Sequence, residues 1–422
     1  MAIDPEEMKR RRLQKQQQRE SQQVQRKKLM IRLGIASGVL LLCGILIFAL
    51  SRPDAPSPQS PTEKETVAPA PTQPTEIPPT TTVHLAFAGD LIITDNVVNS
   101  GGADLNYSKV FGDVAPVLAN ADMAVLNLEG SLYGAPYGTQ TASAPLSMME
   151  ALDDAGVDLI QLANSYSIYH GISGLGQTID RVRSAGMEPL GVWPDTSSYQ
   201  KARGFTLRNV NGLKIAFVAF TKGMVDGMAL PAGSENCVNI LYEDYDSTYQ
   251  NINTEKITQV MKSAAREDPD AIVVLLHWGS KESDTVSSSQ KRILNLLQEL
   301  GADAVIGTHP IYLQQMSMNE NGQFVAYSLG SFYSDAQDSG MEYSVILDLA
   351  FTKDNKSGKT TISGYDYTPI YTAKQDGLPV RVVRIKETMA AYENNYIEKV
   401  SEADYNAMAY ALERIEARIK GE

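Results

Sequence analysis

Residues 84–90 read HLAFAGD, an apolar run that ends in glycine and aspartate. Short apolar runs of this kind return along the chain, as MAVLNL, DLIQLA, KIAFVAF, AIVVLL, DAVIG and FVAYSL. Between them lie helix-like segments near residues 108–120, 146–155, 173–185, 252–266 and 287–300. Apolar strands that alternate with helices are typical of βαβ units, in which the sheet is covered on both faces. The pattern therefore predicts an α/β fold.

The pattern changes toward the C-terminus. The runs EYSVILDLAF and TTISGYDYTPIY follow each other without a helix, which predicts antiparallel strands. A last helix is predicted to begin at Glu402, with Ser401 as its N-cap and Asp404 three residues on. We therefore expect an α/β sandwich with antiparallel additions over residues 83–372, followed by an extension over residues 373–422 that contains the terminal helix.

The region before the globular part has the features of a membrane anchor. Residues 1–32 carry ten basic and four acidic side chains, and residues 33–50 form a run without a charge. A helix needs about 20 apolar residues to cross a bilayer, and basic residues favour the cytoplasmic side. Residues 51–82 hold nine of the 20 prolines, which predicts an extended stalk. We expect a single-pass cell-membrane protein with a cytoplasmic N-terminus and an extracellular C-terminal domain; a cleaved signal peptide is the alternative.

The charge distribution limits the partners of the chain. The net charge is −13, and outside the basic tail 27 basic side chains face 46 acidic ones, a balance of −19. Nucleic-acid binding needs lysine and arginine to neutralise phosphates, so we expect no nucleic-acid partner. Cys43 and Cys237 are the only cysteines, too few for a disulfide framework.

Polar side chains follow five of the predicted strands. Ligands bind beyond the carboxyl ends of the strands in open α/β sheets, so we expect these side chains to lie close together. Carboxylate, amide and imidazole groups suit Mn, Fe or Zn better than a metal that prefers thiolates. The sequence therefore predicts a divalent metal site that has five ligand side chains and one neighbouring amide side chain. The predicted ligands are Asp90, Glu129, Asn164, His277 and His309, and the neighbouring amide is Asn127.

Each of these residues also has a simpler interpretation. Aspartate after a strand is a favoured turn residue, and asparagine is a favoured helix cap. A histidine after a buried strand is more often a hydrogen-bonded core residue than a ligand. The joint placement of all five side chains is what favours a site.

At these residues the chain resembles a known family. From about residue 84 to residue 335 it resembles the CapA family of poly-γ-glutamate capsule proteins, whose domain is similar to calcineurin-like metallophosphoesterases. The stretches that carry the resemblance are AFAGDLIITD, ADMAVLNLEGSL, LIQLANSYSIYHGISGLGQTIDRVRSAG, IVVLLHWGSKES, GADAVIGTHPIYLQ and VAYSLGSFYSD. The Gly-Asp of the family falls on Asp90, its Asn-Leu-Glu on Asn127 and Glu129, and its His-Trp-Gly on His277. The resemblance implies a metallophosphoesterase-like α/β sandwich.

Two motifs depart from the family pattern. Where the family has Asn-Asn-His, this chain has Asn164 followed by Ser165 and Tyr166. Where the family has Gly-His-His-Pro-His, this chain reads GTHPI over residues 307–311 and keeps only His309. If the replaced histidines hold a metal or donate a proton, this chain holds one metal or none. Tyr166 is a poorer acid near neutral pH than histidine, because the ordinary pKa of tyrosine is about 10. The catalytic candidates are Asp90, His277, His309 and Tyr166.

The resemblance implies a protein that assists the synthesis or export of an anionic cell-surface polymer such as poly-γ-glutamate. Metal-dependent hydrolysis or transfer is the candidate reaction, and capsule-synthesis membrane proteins are the candidate protein partners. Two alternatives stay open, a catalytically dead binding or scaffold module at the cell surface and a metal-dependent phosphoesterase unrelated to capsules. An acidic exterior repels polyanions at short range, so polymer binding needs a bound metal or a basic patch, such as residues 201–203 or 381–386.

Overall fold

Two β-sheets, one of eight strands and one of six, form the centre of the computed structural model. The structure describes residues 78–335, 340–374, 380–394 and 400–422. The predicted cytoplasmic tail, transmembrane helix and most of the stalk lie outside these residues. Within the described ranges no helix has both the length and the apolar character that crossing a membrane requires.

The first sheet has the strand order β14-β13-β12-β1-β2-β3-β4, and β11 pairs with β1 at its end. Strands β1 to β4 run parallel, whereas β12, β13 and β14 add to the edge of β1 as antiparallel neighbours. The predicted antiparallel additions are therefore confirmed. The strands are β1 Thr80–Ile92, β2 Met123–Glu129, β3 Leu159–Gln161, β4 Glu188–Leu190, β11 Ser331–Tyr333, β12 Tyr343–Asp354, β13 Thr360–Ala373 and β14 Arg381–Arg384.

The second sheet has the strand order β5-β6-β7-β8-β10-β9. Its four central strands are parallel, and β5 and β9 pair antiparallel at the two edges. The predicted apolar strands thus exist, and they divide between two sheets. The strands are β5 Thr206–Val210, β6 Leu213–Thr221, β7 Ala271–His277, β8 Ala304–Thr308, β9 Met316–Met318 and β10 Phe324–Ala326.

The helices of the described part are α1 Asp95–Asn99, α2 Ser108–Phe111, α3 Ala115–Asn120, α4 Leu146–Ala155, α5 Gly171–Ser184, α6 Thr196–Ala202, α7 Thr254–Ala265, α8 Ser288–Glu299, α9 Ile385–Glu393 and α10 Glu402–Lys420. The single helix predicted near residues 108–120 is two short ones, α2 and α3. The helical conformation starts again at α3, and Pro116 lies in the first turn of that helix. Proline fits there because the N–H groups of a first turn have no partner within the helix.

The four central strands of the second sheet are buried on both faces. Ile215 and Phe217 of β6 belong to the main core, which also contains residues of the first sheet. Ala216 and Val218 belong to a second core that includes apolar side chains of α7 and α8. Since successive side chains of a strand point to opposite faces, this alternation explains why the strands read as continuous apolar runs.

The terminal helix α10 begins as the sequence predicts. The Ser401 side chain accepts from the Asp404 N–H at 3.0 Å, and the Asp404 carboxylate accepts from the Ser401 N–H at 3.3 Å. This reciprocal capping box confirms the N-cap. Pro78–Glu422 clusters as one unit, and the boundary near residue 372 stays a prediction.

Candidate metal centre

A cavity of about 430 Å³ lies where strands of both sheets end. The first sheet supplies Asp90 and Glu129 to its wall, and the second sheet supplies His309 from the loop after β8. Tyr166, from the loop after β3, also lines the cavity. The ends of strands from two sheets therefore meet at this cavity.

Three side chains place potential metal ligands close together. One ligand atom each of Glu129, His277 and His309 lies within 4.8 Å of the others. The ring centroids of the two histidines are 4.2 Å apart. His277 Nε2 lies 3.2 Å from Glu129 Oε2 and 3.3 Å from Oε1. One carboxylate and two imidazoles are a ligand set that Zn, Mn or Fe accepts.

The orientation of His277 is fixed by Thr221, the last residue of β6. Thr221 Oγ1 lies 2.9 Å from His277 Nδ1 and donates its own proton to the Gly223 carbonyl oxygen at 3.0 Å. A hydroxyl has a single proton, so Oγ1 accepts from Nδ1–H. In the neutral ring Nε2 then carries the lone pair, and it faces Glu129. A lone pair and a carboxylate oxygen at 3.2 Å repel unless a proton or a metal ion lies between them, so the donor set fits a cation.

Asp90 is a buried carboxylate beside this group. Its Oδ2 accepts from the His309 backbone N–H at 2.9 Å, and its Oδ1 accepts from Asn127 Nδ2 at 2.5 Å. Burial and the negative charge of Glu129 raise the pKa of Asp90 to about 7. Asp90 therefore ionises less readily than an exposed aspartate does.

Asn127 bridges the two carboxylates, because the same Nδ2 also donates to Glu129 Oε2 at 3.2 Å. Burial raises the pKa of Glu129. With His277 in its protonated form, attraction to the imidazolium and hydrogen bonds from His277, Ser165 and Asn127 outweigh burial, so the net shift is downward. Glu129 is thus the carboxylate that stays ionised.

His309 is held in an uncommon backbone conformation, with φ at +90°. Burial, followed by the positive charges of His277, Lys222 and Lys281, puts the pKa of His309 well below its ordinary value. A neutral imidazole at this position keeps a lone pair for a metal.

Asn164 is fully buried, and its amide is engaged by the backbone. Its Nδ2 donates to the Leu128 carbonyl oxygen, and its Oδ1 accepts from the Tyr166 N–H at 2.9 Å. The first bond ties the loop after β3 to the end of β2, and the second lies within the loop. The role of Asn164 as a ligand stays a prediction.

Three residues stand where the family has histidines, and each has different surroundings: Tyr166, Thr308 and Ile311. Burial, followed by the charge of Glu129, raises the pKa of Tyr166, which makes its hydroxyl a weaker acid than free tyrosine. Ile311 lines the cavity as an apolar side chain. Thr308 is buried at the end of β8, and its hydroxyl donates to the Leu276 carbonyl oxygen at 3.4 Å.

Three residues of the site were not predicted from the sequence. They are Thr221, Lys222 and Ser165, whose Oγ lies 3.3 Å from His277 Nε2. Thr221 pairs in register with His277 across β6 and β7. The signal that could have found Thr221 and Lys222 is their position directly at the end of the apolar run KIAFVAF.

A family model described as "Bacterial capsule synthesis protein PGA_cap" matches residues 84–336, more than half of the chain. The chain therefore belongs to this family, which confirms the resemblance seen in the sequence.

Two similar proteins are named for capsule or polymer synthesis. "Capsule biosynthesis protein CapA" of Bacillus anthracis is 25% identical over 261 residues, which cover 60% of this chain and 59% of that protein. "PGA biosynthesis protein CapA" of Bacillus subtilis (strain 168) is 24% identical over 310 residues, which cover 72% of this chain and 75% of that protein. The chain thus matches about three-fifths of the first relative and three-quarters of the second.

Solved structures show a weaker similarity. A phosphatase from Mycoplasma pneumoniae has 13% identity and a TM-score of 0.42, over 69% of this chain and 94% of that one. A putative 5'-nucleotidase from Staphylococcus aureus has 12% identity and a TM-score of 0.44, over 79% of this chain and 58% of that one. Similarity at this level says nothing about activity.

Proposed function

We propose that this protein assists the synthesis or export of an anionic capsule polymer at the outer face of the cell membrane. Family membership supports this role, and so do the names of the two relatives, one of which refers to PGA biosynthesis. Poly-γ-glutamate is therefore the candidate polymer. The uncharged run over residues 33–50 supports an anchor in the membrane, with the globular part outside and capsule-synthesis membrane proteins as neighbours.

The cavity between the strand ends is proposed to be a divalent metal centre on a metallophosphoesterase-type fold. The observation that carries this proposal is the group of Glu129, His277 and His309, whose ligand atoms lie within 4.8 Å of one another. Asp90 and Asn164 are further candidate ligands. A bound metal would polarise a phosphoryl or carbonyl oxygen and activate water for hydrolysis.

The surrounding side chains prepare the site for that chemistry. Thr221 holds the His277 ring so that Nε2 faces the cluster. Asn127 holds the carboxylates of Asp90 and Glu129 next to each other, because its Nδ2 donates a hydrogen bond to both. Because His277 has no exposed surface and Asp90 only 1%, bulk water has little access to these ligands.

A second candidate is a binding module without catalysis. It is favoured by Tyr166 and Ile311, which stand where the family has histidines. The tyrosine is a weak acid here and the isoleucine is apolar, so neither supplies a proton near neutral pH.

The functional test compares the amount of anionic polymer on cells that lack the protein with cells that carry wild type, Glu129→Gln or Glu299→Gln. Glu299 is an exposed residue at the end of α8 and serves as the control. We expect the deletion and Glu129→Gln to reduce the polymer, and wild type and Glu299→Gln to restore it. The chain itself should fractionate with the membrane.

The outcomes separate the candidates. Unchanged polymer in the deletion strain would contradict the capsule role. Loss of polymer in the deletion strain, together with full restoration of the polymer by Glu129→Gln, would favour the binding module.

A further inference from the structure

Two lysines line the cavity next to the candidate metal centre. Lys222 follows Thr221 at the end of β6, and Lys281 lies in the loop after β7. The backbone N–H of Lys222 donates to the His277 carbonyl oxygen at 2.8 Å. This bond fixes the start of the Lys222 side chain relative to one of the candidate ligands.

The ammonium group of Lys222 has few partners. Its Nζ donates to the Gly279 carbonyl oxygen at 2.8 Å and lies 4.6 Å from the ring centroid of Tyr249. In the part of the chain that the structure describes, no carboxylate forms an ion pair with it within 4.0 Å. An ammonium has three donors, so one hydrogen bond and one aromatic face leave it able to bind an anion.

The surroundings of Lys222 favour an anion further. The side chain is half-buried, so its ammonium group has lost part of its hydration. A cation that has lost solvent gains from an anionic partner. Lys281 is more exposed, and its Nζ lies 3.5 Å from Glu282 Oε1, so it attracts an anion less strongly than Lys222 does. Other carboxylates of the wall are Asp226 and Asp335.

The basic patches noted in the sequence do not serve this purpose. Arg203 pairs with Glu267, and Arg384 pairs with Asp113 and Glu387. Neither arginine lines the cavity. The acidic exterior therefore needs a different local cation to accept a polyanion.

We propose that Lys222, assisted by Lys281, binds an oxyanion of the substrate beside the candidate metal centre. The oxyanion is a carboxylate of a γ-linked glutamate unit or a phosphate. This inference rests on the proposed function, since it assigns the substrate-binding part of the same cavity.

The test measures the dissociation constant of the full chain, purified in detergent, for two probes. The probes are an oligomer of γ-linked glutamate and inorganic phosphate. We expect Lys222→Met to weaken binding of at least one probe by about tenfold or more, because a charge-assisted hydrogen bond is lost. Lys262→Met is the matched control, since Lys262 is an exposed lysine of α7 outside the cavity. It should bind within about twofold of wild type.

The choice of probe identifies the ligand. Loss of oligomer binding alone supports a carboxylate, and loss of phosphate binding supports a phosphate. Affinities of Lys222→Met that equal wild type for both probes overturn the inference.

Lys281→Met covers the case in which Lys222→Met does not fold. Its side chain is 66% exposed, so the substitution leaves the core intact. A loss of about threefold supports the inference, and no loss overturns it. Metal content is measured in the same samples. A metal-free wild type whose probe binding still depends on Lys222 contradicts the metal centre and leaves the anion site standing.

Discussion

At the residue scale, His277 depends on partners from both sheets. Glu129 reaches it from the end of β2, and Thr221 reaches it from the neighbouring strand β6. The hydroxyl selects the ring tautomer, and the carboxylate faces the remaining lone pair. A hydroxyl that orients a ligand histidine strengthens metal binding without touching the metal. Thr221 would have that role if Glu129 and His277 hold a metal.

Thr221→Val removes the hydroxyl and keeps the shape of the side chain. We expect the full chain to bind Zn or Mn about tenfold to a hundredfold more weakly, because the His277 ring loses the group that fixes it. Competition with a metal-sensitive dye measures the affinity. Thr221→Ser keeps the hydroxyl and should stay close to wild type. Equal affinities of Thr221→Val and wild type would show that the hydroxyl does not orient the ring.

Asp90 makes stability depend on pH. Its pKa is about 7 in the folded chain against an ordinary value of 3.8, so the unfolded chain releases a proton that the folded chain keeps. Stability from this group is therefore complete below pH 4 and is lost as the pH rises toward 7.

Asp90→Asn should remove this loss. In chelator-treated protein, we expect the variant to lose less stability than wild type between pH 4 and pH 7. The free energy of unfolding of the variant minus that of wild type should therefore rise by about 1 to 4 kcal/mol over this range and then level off. Denaturant unfolding at several pH values measures it. A difference that is the same at every pH contradicts the assignment.

The types of the site residues could be predicted, but their partners could not. Asp90, Glu129, His277 and His309 each follow an apolar run, and that position is visible in the sequence. Lys222 also follows a run, yet lysine is common at strand ends, and only the structure shows it in the cavity.

At the scale of elements, two glycines allow close approaches next to the site. A Cβ on Gly89 would lie 1.8 Å from the Gly330 carbonyl oxygen, and one on Gly307 would lie 2.0 Å from the Tyr327 carbonyl oxygen. Gly89 is also skipped in the pairing of β1 with β2, which is a β-bulge just before Asp90. The position of Asp90 therefore depends on a residue without a side chain.

Gly89→Ala should destabilise the protein by more than about 2 kcal/mol, because the methyl group forces β1 away from Gly330. Metal binding should fall with it. Gly176→Ala is the matched control, since Gly176 is in α5 and a Cβ there meets nothing within 4 Å. That variant should be neutral or up to about 1 kcal/mol more stable. Denaturant unfolding compares the two, and similar stabilities would contradict the close approach at Gly89.

The elements themselves were largely predictable. Apolar runs and their separation located the strands, and the capping box located α10. The division of the strands between two sheets was not predictable, because buried strands of either sheet have the same apolar pattern. The break between α2 and α3 depends on a local proline, which the spacing of the apolar residues does not reveal.

At the scale of the whole molecule, the site exists because two parallel arrays of strands end at one cavity. The first sheet brings carboxylates, and the second brings imidazoles and lysines. Outside the basic tail the chain carries a balance of −19, so a polyanion is repelled except where local cations are concentrated. A metal centre with Lys222 beside it would provide that concentration.

The metal content of the full chain, purified without chelators and measured by elemental mass spectrometry, tests this most directly. We expect about one ion or more of Mn, Fe or Zn per wild-type chain, and close to none in the double variant His277→Ala, His309→Ala. A folded wild-type chain that holds none of these metals, even after incubation with each, would contradict the metal centre.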